Sequence, residues 1–259
     1  MFKLQNLIVF MGLGLFLFLY FGLDVKPKKY TTIERDRQLA TQETDITNLI
    51  RDVQGTLSPN QASLLITLER ELENADSDSL KSALLQQLSG KWYEYKQPHI
   101  AGFYAEQVAD LENNTTAWAI AGTSYAATFK GPYEEKVKKY SFNKAITAFE
   151  NAISLDPSDL SAKVNLALCY VERPPEENPM KGILLLLDYD KQFPDNPMVL
   201  FHLGRLAIQT GQYEKAIQRL EKIIQVAPNT TKAYCLLAKA YEGAGDRSKA
   251  SQYQVQCNQ

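Results

Sequence analysis

From Leu7 to Leu23 every position is apolar, aromatic or glycine, and beyond residue 30 the apolar positions fall into stripes of helical period. The run has no polar face, which a buried helix of a globular domain would show. At about 1.5 Å rise per residue it nearly crosses a hydrocarbon layer of about 30 Å. It predicts a single transmembrane helix with a basic flank over residues 1–29, contacting the lipid bilayer through residues 7–23. A cleaved secretory signal competes, but Asp24-Val25-Lys26-Pro27-Lys28 offers no small-residue cleavage site, and no cysteine comes directly after the run to accept lipid. Lys26, Lys28, Lys29, Arg35 and Arg37 lie after the span, whereas Lys3 and the amino terminus precede it. That excess favours a single-pass protein with a cytoplasmic C-terminal domain, a periplasmic one being the alternative.

Residues 30–81 read as helices. Leu39, Ile46, Ile50, Val53 and Leu57 form one stripe, and Ser58-Pro59 supplies a cap and first-turn proline for a second helix through Leu64, Leu65, Leu68 and Leu72. The segment is expected to pack as an N-terminal cap on the helices beyond residue 81, with a short coiled coil as the alternative because Leu39, Ile46 and Val53 are seven apart.

The remainder repeats. Leu-Asp-Pro157, Gln-Phe-Pro194 and Val-Ala-Pro228 end similar blocks, and a small residue lies twelve positions before each proline, at Ala145, Gly182 and Ala216. Ala250 continues the series, so Gly182, Ala216 and Ala250 are spaced by 34. Residues 197–230 carry Leu200, Leu203, Gly204, Gly211, Tyr213, Ala216, Leu220, Ile223 and Pro228; residues 231–259 carry Tyr234, Leu237, Ala238, Tyr241, Gly245 and Ala250. Residues 160–196 carry Leu166, Ala167, Tyr170, Gly182, Leu186, Tyr189 and Pro194, with extra residues in the turn 173–179. Residues 115–159 carry Trp118, Ala121, Gly122, Tyr125, Ala145, Phe149, Ala152 and Pro157, with a longer connection near Gly131. Residues 82–114 form a degenerate copy through Leu85, Leu88, Trp92, Ala101 and Val108.

This pattern resembles the tetratricopeptide repeat family from residue 82 to the C-terminus. The resemblance implies an all-α fold, a right-handed superhelix of tetratricopeptide (TPR) helix-turn-helix pairs, here preceded by a single transmembrane helix. The chain then divides into 1–29, 30–81 and 82–259. Small residues lie where paired helices cross, aromatics such as Tyr170 and Tyr241 fill the space between pairs, and prolines end the second helices because the residue before proline avoids helical geometry. Asp-Pro-Ser-Asp and Pro-Asn-Thr-Thr are expected to cap the next helices.

The same resemblance implies a concave face lined by the first helix of each pair. Mapped onto this chain, the inward positions include Thr116, Ala119, Thr123 and Cys235, and a partner-binding set comprises Val164, Leu168, Met198, Phe201, Arg205, Ile208, Lys232 and Lys239. Its mixture of apolar and basic side chains suits a ligand with apolar anchors and an acidic end. The lysines and asparagines with which some family members clamp a chaperone's C-terminus are missing, since Ala119, Thr123, Val164 and Leu168 stand there. The function expected is a membrane-anchored scaffold or adaptor that binds partner proteins or peptides. The alternative is an assembly factor for a membrane or extracytoplasmic complex, similar to the TPR proteins of cytochrome c maturation.

Catalytic chemistry is not legible. His99 and His202 have no second ligand at metal spacing, and the Gly12-Leu-Gly14 pattern sits inside the apolar span. Glu134-Glu135 and Glu176-Glu177 read as solvated loop charge, and the Asn113-Asn114-Thr115-Thr116 and Asn229-Thr230-Thr231 triplets as capping turns. Cys169, Cys235 and Cys257 are far apart and odd in number, so they read as unpaired apolar fillers, which also favours a reducing compartment. A formal charge of −2, from 28 basic and 30 acidic residues, gives no field for nucleic acid. No enzyme activity, catalytic residue, metal, cofactor or small-molecule substrate is expected.

Overall fold

The computed structural model describes residues 46–258 and divides at Ser58 into two compact units. In the first, residues 46–54 are helical. The apolar run 7–23 and the start of the heptad at Leu39 lie outside the described residues. Among the described residues no helix is long and apolar enough to cross a membrane.

The second unit is all-α among the described residues. Its helices are α1 (Pro59–Glu73), α2 (Asp78–Glu94), α3 (Pro98–Glu112), α4 (Thr115–Ala126), α5 (Glu135–Leu155), α6 (Leu160–Glu172), α7 (Lys181–Gln192), α8 (Pro197–Gln209), α9 (Tyr213–Val226), α10 (Thr231–Gly243) and α11 (Arg247–Cys257). A 3-10 turn, Ala127–Lys130, takes up part of the long connection near Gly131, and α5 is lengthened to 21 residues. Each helix packs chiefly on the one before and the one after it, so the unit is a stack of helical hairpins.

The punctuation of the sequence explains the hairpins. Helices α5, α7 and α9 each end two residues before Pro157, Pro194 and Pro228, and the intervening Asp156, Phe193 and Ala227 leave helical geometry. Asp159 then accepts the backbone N–H groups of Ser161 and Ala162, and Asn196 those of Met198 and Val199, which caps α6 and α8. Asn114 caps α4 through the N–H of Ala117. The cap expected at Pro228-Asn229-Thr230-Thr231 differs: Thr230 makes no side-chain hydrogen bond at the start of α10.

Three of the turns within pairs share one geometry. Gly211 (φ 71°) and Gly245 (φ 87°) are left-handed, and the next residue donates its N–H five residues back, Gln212 to Ala207 at 2.8 Å and Asp246 to Tyr241 at 2.9 Å. Between α2 and α3 the same turn is made by Lys96 (φ 62°), with Gln97 donating to Trp92 at 2.9 Å. The degenerate first pair therefore folds with the turn of the regular ones although its glycine is missing.

Small residues sit at the crossings. A Cβ on Gly204 would lie 2.9 Å from Leu220 Cγ of the paired helix, one on Gly122 2.8 Å from the Phe149 ring, and one on Gly182 2.5 Å from the carbonyl oxygen of Ala167. Ala145 and Ala216 are fully buried at equivalent places. The core runs along the stack in successive clusters, one around Tyr125, Ala145 and Phe149, one around Val164, Leu186 and Leu203, and one around Leu220, Leu237 and Tyr241.

Candidate docking groove

Neighbouring first helices do not all approach one another equally. Helices α8 and α10 touch, as do α4 and α6; α6 and α8 stand further apart, as do α2 and α4, and the last two leave a gap floored by α3. That gap is an open groove of about 980 Å³. Gln86, Ser89, Gly90 and Tyr93 of α2 form one wall, Ala105, Val108 and Glu112 the floor, and Thr116, Ala117, Ile120 and Ser124 of α4 the other wall. Tyr93 and Ile120 are 52% and 53% exposed, so two large apolar side chains face water across the groove. Gly90 has nothing within 4 Å of where its Cβ would be.

Most polar groups of the groove are already engaged. Ser89 Oγ donates to the carbonyl of Ala101 and Ser124 Oγ to that of Ile120, each at 2.9 Å. Asn114 Oδ1 accepts from Ala117 N at 2.8 Å while its Nδ2 donates to Glu112 Oε2 at 3.1 Å. Glu112 is the one charged residue of the lining. Ser82 Oγ (2.6 Å) and Gln86 Nε2 (2.9 Å) both donate to its Oε1. These hydrogen bonds, that of Ser82 foremost, hold its carboxyl below the usual glutamate range. Among the described residues no lysine or arginine pairs with it.

Thr116, expected on the inner face, lines this groove, whereas the eight residues expected to meet a partner lie elsewhere. Val164 is fully buried, inside the cluster of α6 to α8, so its expected exposure on the inner face is corrected. It is covered because α7 and α8 both pack there. Leu168 and Met198 border that cluster half-buried, and Phe201 and Ile208 do the same on the next one. Phe201 also stands edge-on to the His202 ring at 5.5 Å. Arg205 is 22% exposed and lies 3.8 Å from Glu172, which Lys130 also approaches at 3.0 Å, so its guanidinium already faces a carboxylate of this chain. Lys232 and Lys239 are exposed on α10. Tyr93, Ile120 and Glu112 were not among the expected contacts, and no signal in the sequence marks them: other copies also hold large apolar residues at the positions of Tyr93 and Ile120, namely Ile208 and Leu236, and Glu112 ends a second helix.

The cysteine expectation is also corrected. Cys235 and Cys257 form a disulfide with Cα atoms 4.7 Å apart. Each lies eleven residues from Asp246, and in an antiparallel hairpin residues equidistant from the turn face one another. Cys169 alone is free and buried, and burial pushes its thiol up to about 12. Burial likewise lowers His99 and His202 to about 4, with Arg205 and Lys130 adding to the shift at His202. Among the described residues no group of three His, Cys, Asp or Glu side chains could hold a metal ion.

Models of the tetratricopeptide repeat match residues 185–240 and 231–259. The C-terminal part of the chain carries tetratricopeptide repeats. The hairpins α2–α3 and α4–α5 lie before the matched residues; the first shares the left-handed turn of the matched pairs and the second the close glycine crossing. No curated protein matches the chain. Among solved structures it is similar to a crystal structure of MamA protein, at 20% identity, a TM-score of 0.44 and coverage of 68% of this chain and 89% of that one. It is also similar to MamA 41-end from Desulfovibrio magneticus RS-1, at 17% identity, a TM-score of 0.45 and coverage of 68% and 92%.

Proposed function

We propose that the protein is a non-catalytic, membrane-tethered TPR scaffold or adaptor that binds a partner protein through the groove between α2 and α4. The observation that carries this reading is the pair of exposed apolar side chains, Tyr93 and Ile120, facing each other across an open groove on rigid helices. The apolar run 7–23 supports the tether, and the hairpin stack supports a superhelix of the right-handed TPR kind. Partner recovery tests the reading. The full chain is crosslinked in its own cells and purified, and the main partner is quantified for the unaltered chain, for Gly90→Phe, which fills the groove where there is open space, and for Phe201→Ala with Arg205→Ala. Loss of the partner with Gly90→Phe and retention with the double variant supports the groove. The reverse result moves the site to the α8–α10 face.

The Cys235–Cys257 disulfide favours the second reading of place, an assembly factor whose repeats lie on an oxidising side of the membrane. It weighs against the basic residues after the span, which favour the cytoplasm. Thiol alkylation of acid-quenched cells decides between the two. One reactive thiol under denaturing conditions, rising to three after reduction, supports the oxidising side; three before reduction supports the cytoplasm.

A further inference from the structure

We infer that the groove between α2 and α4 takes a short amphipathic helix of a partner, docked by its apolar stripe and carrying a lysine or arginine that meets Glu112. The inference rests on the groove being the binding site. Two observations specify the occupant.

The first is the state of the polar groups. An extended peptide brings one donor and one acceptor per residue, and each must find a partner when buried. Ser89, Ser124 and Asn114, which line the groove, already donate to this chain's own backbone or to Glu112, and the hydroxyls of Tyr93, Thr115 and Thr116 that remain are too few for the alternating groups of an extended backbone. A helix satisfies its backbone internally and asks the groove only for apolar contact, which Tyr93, Val108 and Ile120 supply.

The second is charge. Beyond Gln86 and Glu112 the groove continues into a further cleft of about 460 Å³, lined by Asp78, Ser79, Ser82, Ala83 and Leu111 as well as those two residues. No basic residue lines either cleft. Asp78 lies 3.9 Å from Lys81, with both side chains largely exposed, while Glu112 has hydrogen-bond donors and no counter-cation. An ionised carboxylate at the junction of two clefts attracts a cation and repels an acidic segment.

The test uses the full chain in zwitterionic lipid nanodiscs and three fluorescent 14-residue synthetic peptides. One is a helix with a leucine stripe and lysines elsewhere, the second has the same stripe with glutamates, and the third is the lysine peptide with a central proline. The lysine helix is expected to bind more tightly than the other two. Glu112→Gln, which keeps an acceptor for Ser82, should weaken the lysine helix by about threefold or more and leave the glutamate helix unchanged. Equal binding of lysine and glutamate helices, or no effect of Glu112→Gln, overturns the cationic partner. Equal binding of the proline peptide overturns the helical one. A benzophenone on the lysine helix separates these failures from failure of the site: crosslinks to α2 and α4 keep the groove reading whatever the charge preference, and crosslinks elsewhere overturn it.

Discussion

One substitution made at two glycines should change stability in opposite directions. A Cβ on Gly182 would lie 2.5 Å from the carbonyl oxygen of Ala167 and 2.6 Å from the amide nitrogen of Val171, both backbone atoms of α6. Ordinary contact begins at 3.4 Å, so α6 and α7 would have to separate by roughly 0.9 Å, against a packed core that resists such shifts. Overpacking of this kind costs about 3 kcal/mol at the upper end of its usual range, and the better helix propensity of alanine returns about 1 kcal/mol. Gly182→Ala is therefore expected to destabilise by about 2 kcal/mol, which for a unit of this size lowers Tm by roughly 4–8 °C. Gly90→Ala meets nothing within 4 Å and keeps only the propensity gain, about 0.5–1 kcal/mol and roughly 2 °C upward. Circular dichroism melts of the full chain check both. A Gly182→Ala protein as stable as the unaltered one would refute the close crossing of α6 and α7.

The remaining predictions use other parts of the stack. His99 is 2% exposed and its ring nitrogens have no hydrogen-bond partner, so the folded state resists its protonation while the unfolded state does not. With its pKa lowered to about 4, it withdraws stability as pH falls from about 6.5 to 4, on the order of 3 kcal/mol; His202, lowered likewise, adds a loss of its own, so denaturant titrations across that range should show both and His99→Leu should remove only the share of His99. Helix α11 buries no residue, so its attachment leans on the disulfide and on the stacking of Tyr253 with Tyr241 at 5.5 Å. Reduction should cost about 3 kcal/mol and speed hydrogen exchange in α11 before the rest; unchanged exchange would mean that packing alone holds the helix. Lys96→Gly places glycine where φ is 62°, and should raise stability by roughly 0.5–1 kcal/mol in thermal melts.

The hairpins were legible because their punctuation is local. Proline, the capping Asp159 and Asn196, and the small residues 34 apart act on the chain within a turn or at a single crossing. What depends on the spacing between hairpins was not legible. Val164 and Ile120 are both apolar residues on first helices, yet one is fully buried and the other 53% exposed, because Val164 is enclosed by side chains of α7 and α8 while Ile120 lines the groove. Arg205 is held beside Glu172 and Lys130, which come from the two preceding hairpins, and no local spacing marks that meeting. The disulfide joins cysteines 22 residues apart with no short spacing to mark it, although its symmetry about Asp246 emerges once α10 and α11 form a hairpin.

The docking groove is tested most directly by photo-crosslinking in the living cell. A benzophenone amino acid is placed singly at Ile120 on the groove wall and at Lys239 on the exposed side of α10, and each full-length chain is irradiated where it is made. A discrete partner adduct at Ile120, lost when Gly90→Phe is added, with none at Lys239, is the predicted result. An adduct at Lys239 that persists with Gly90→Phe, and none at Ile120, would contradict it.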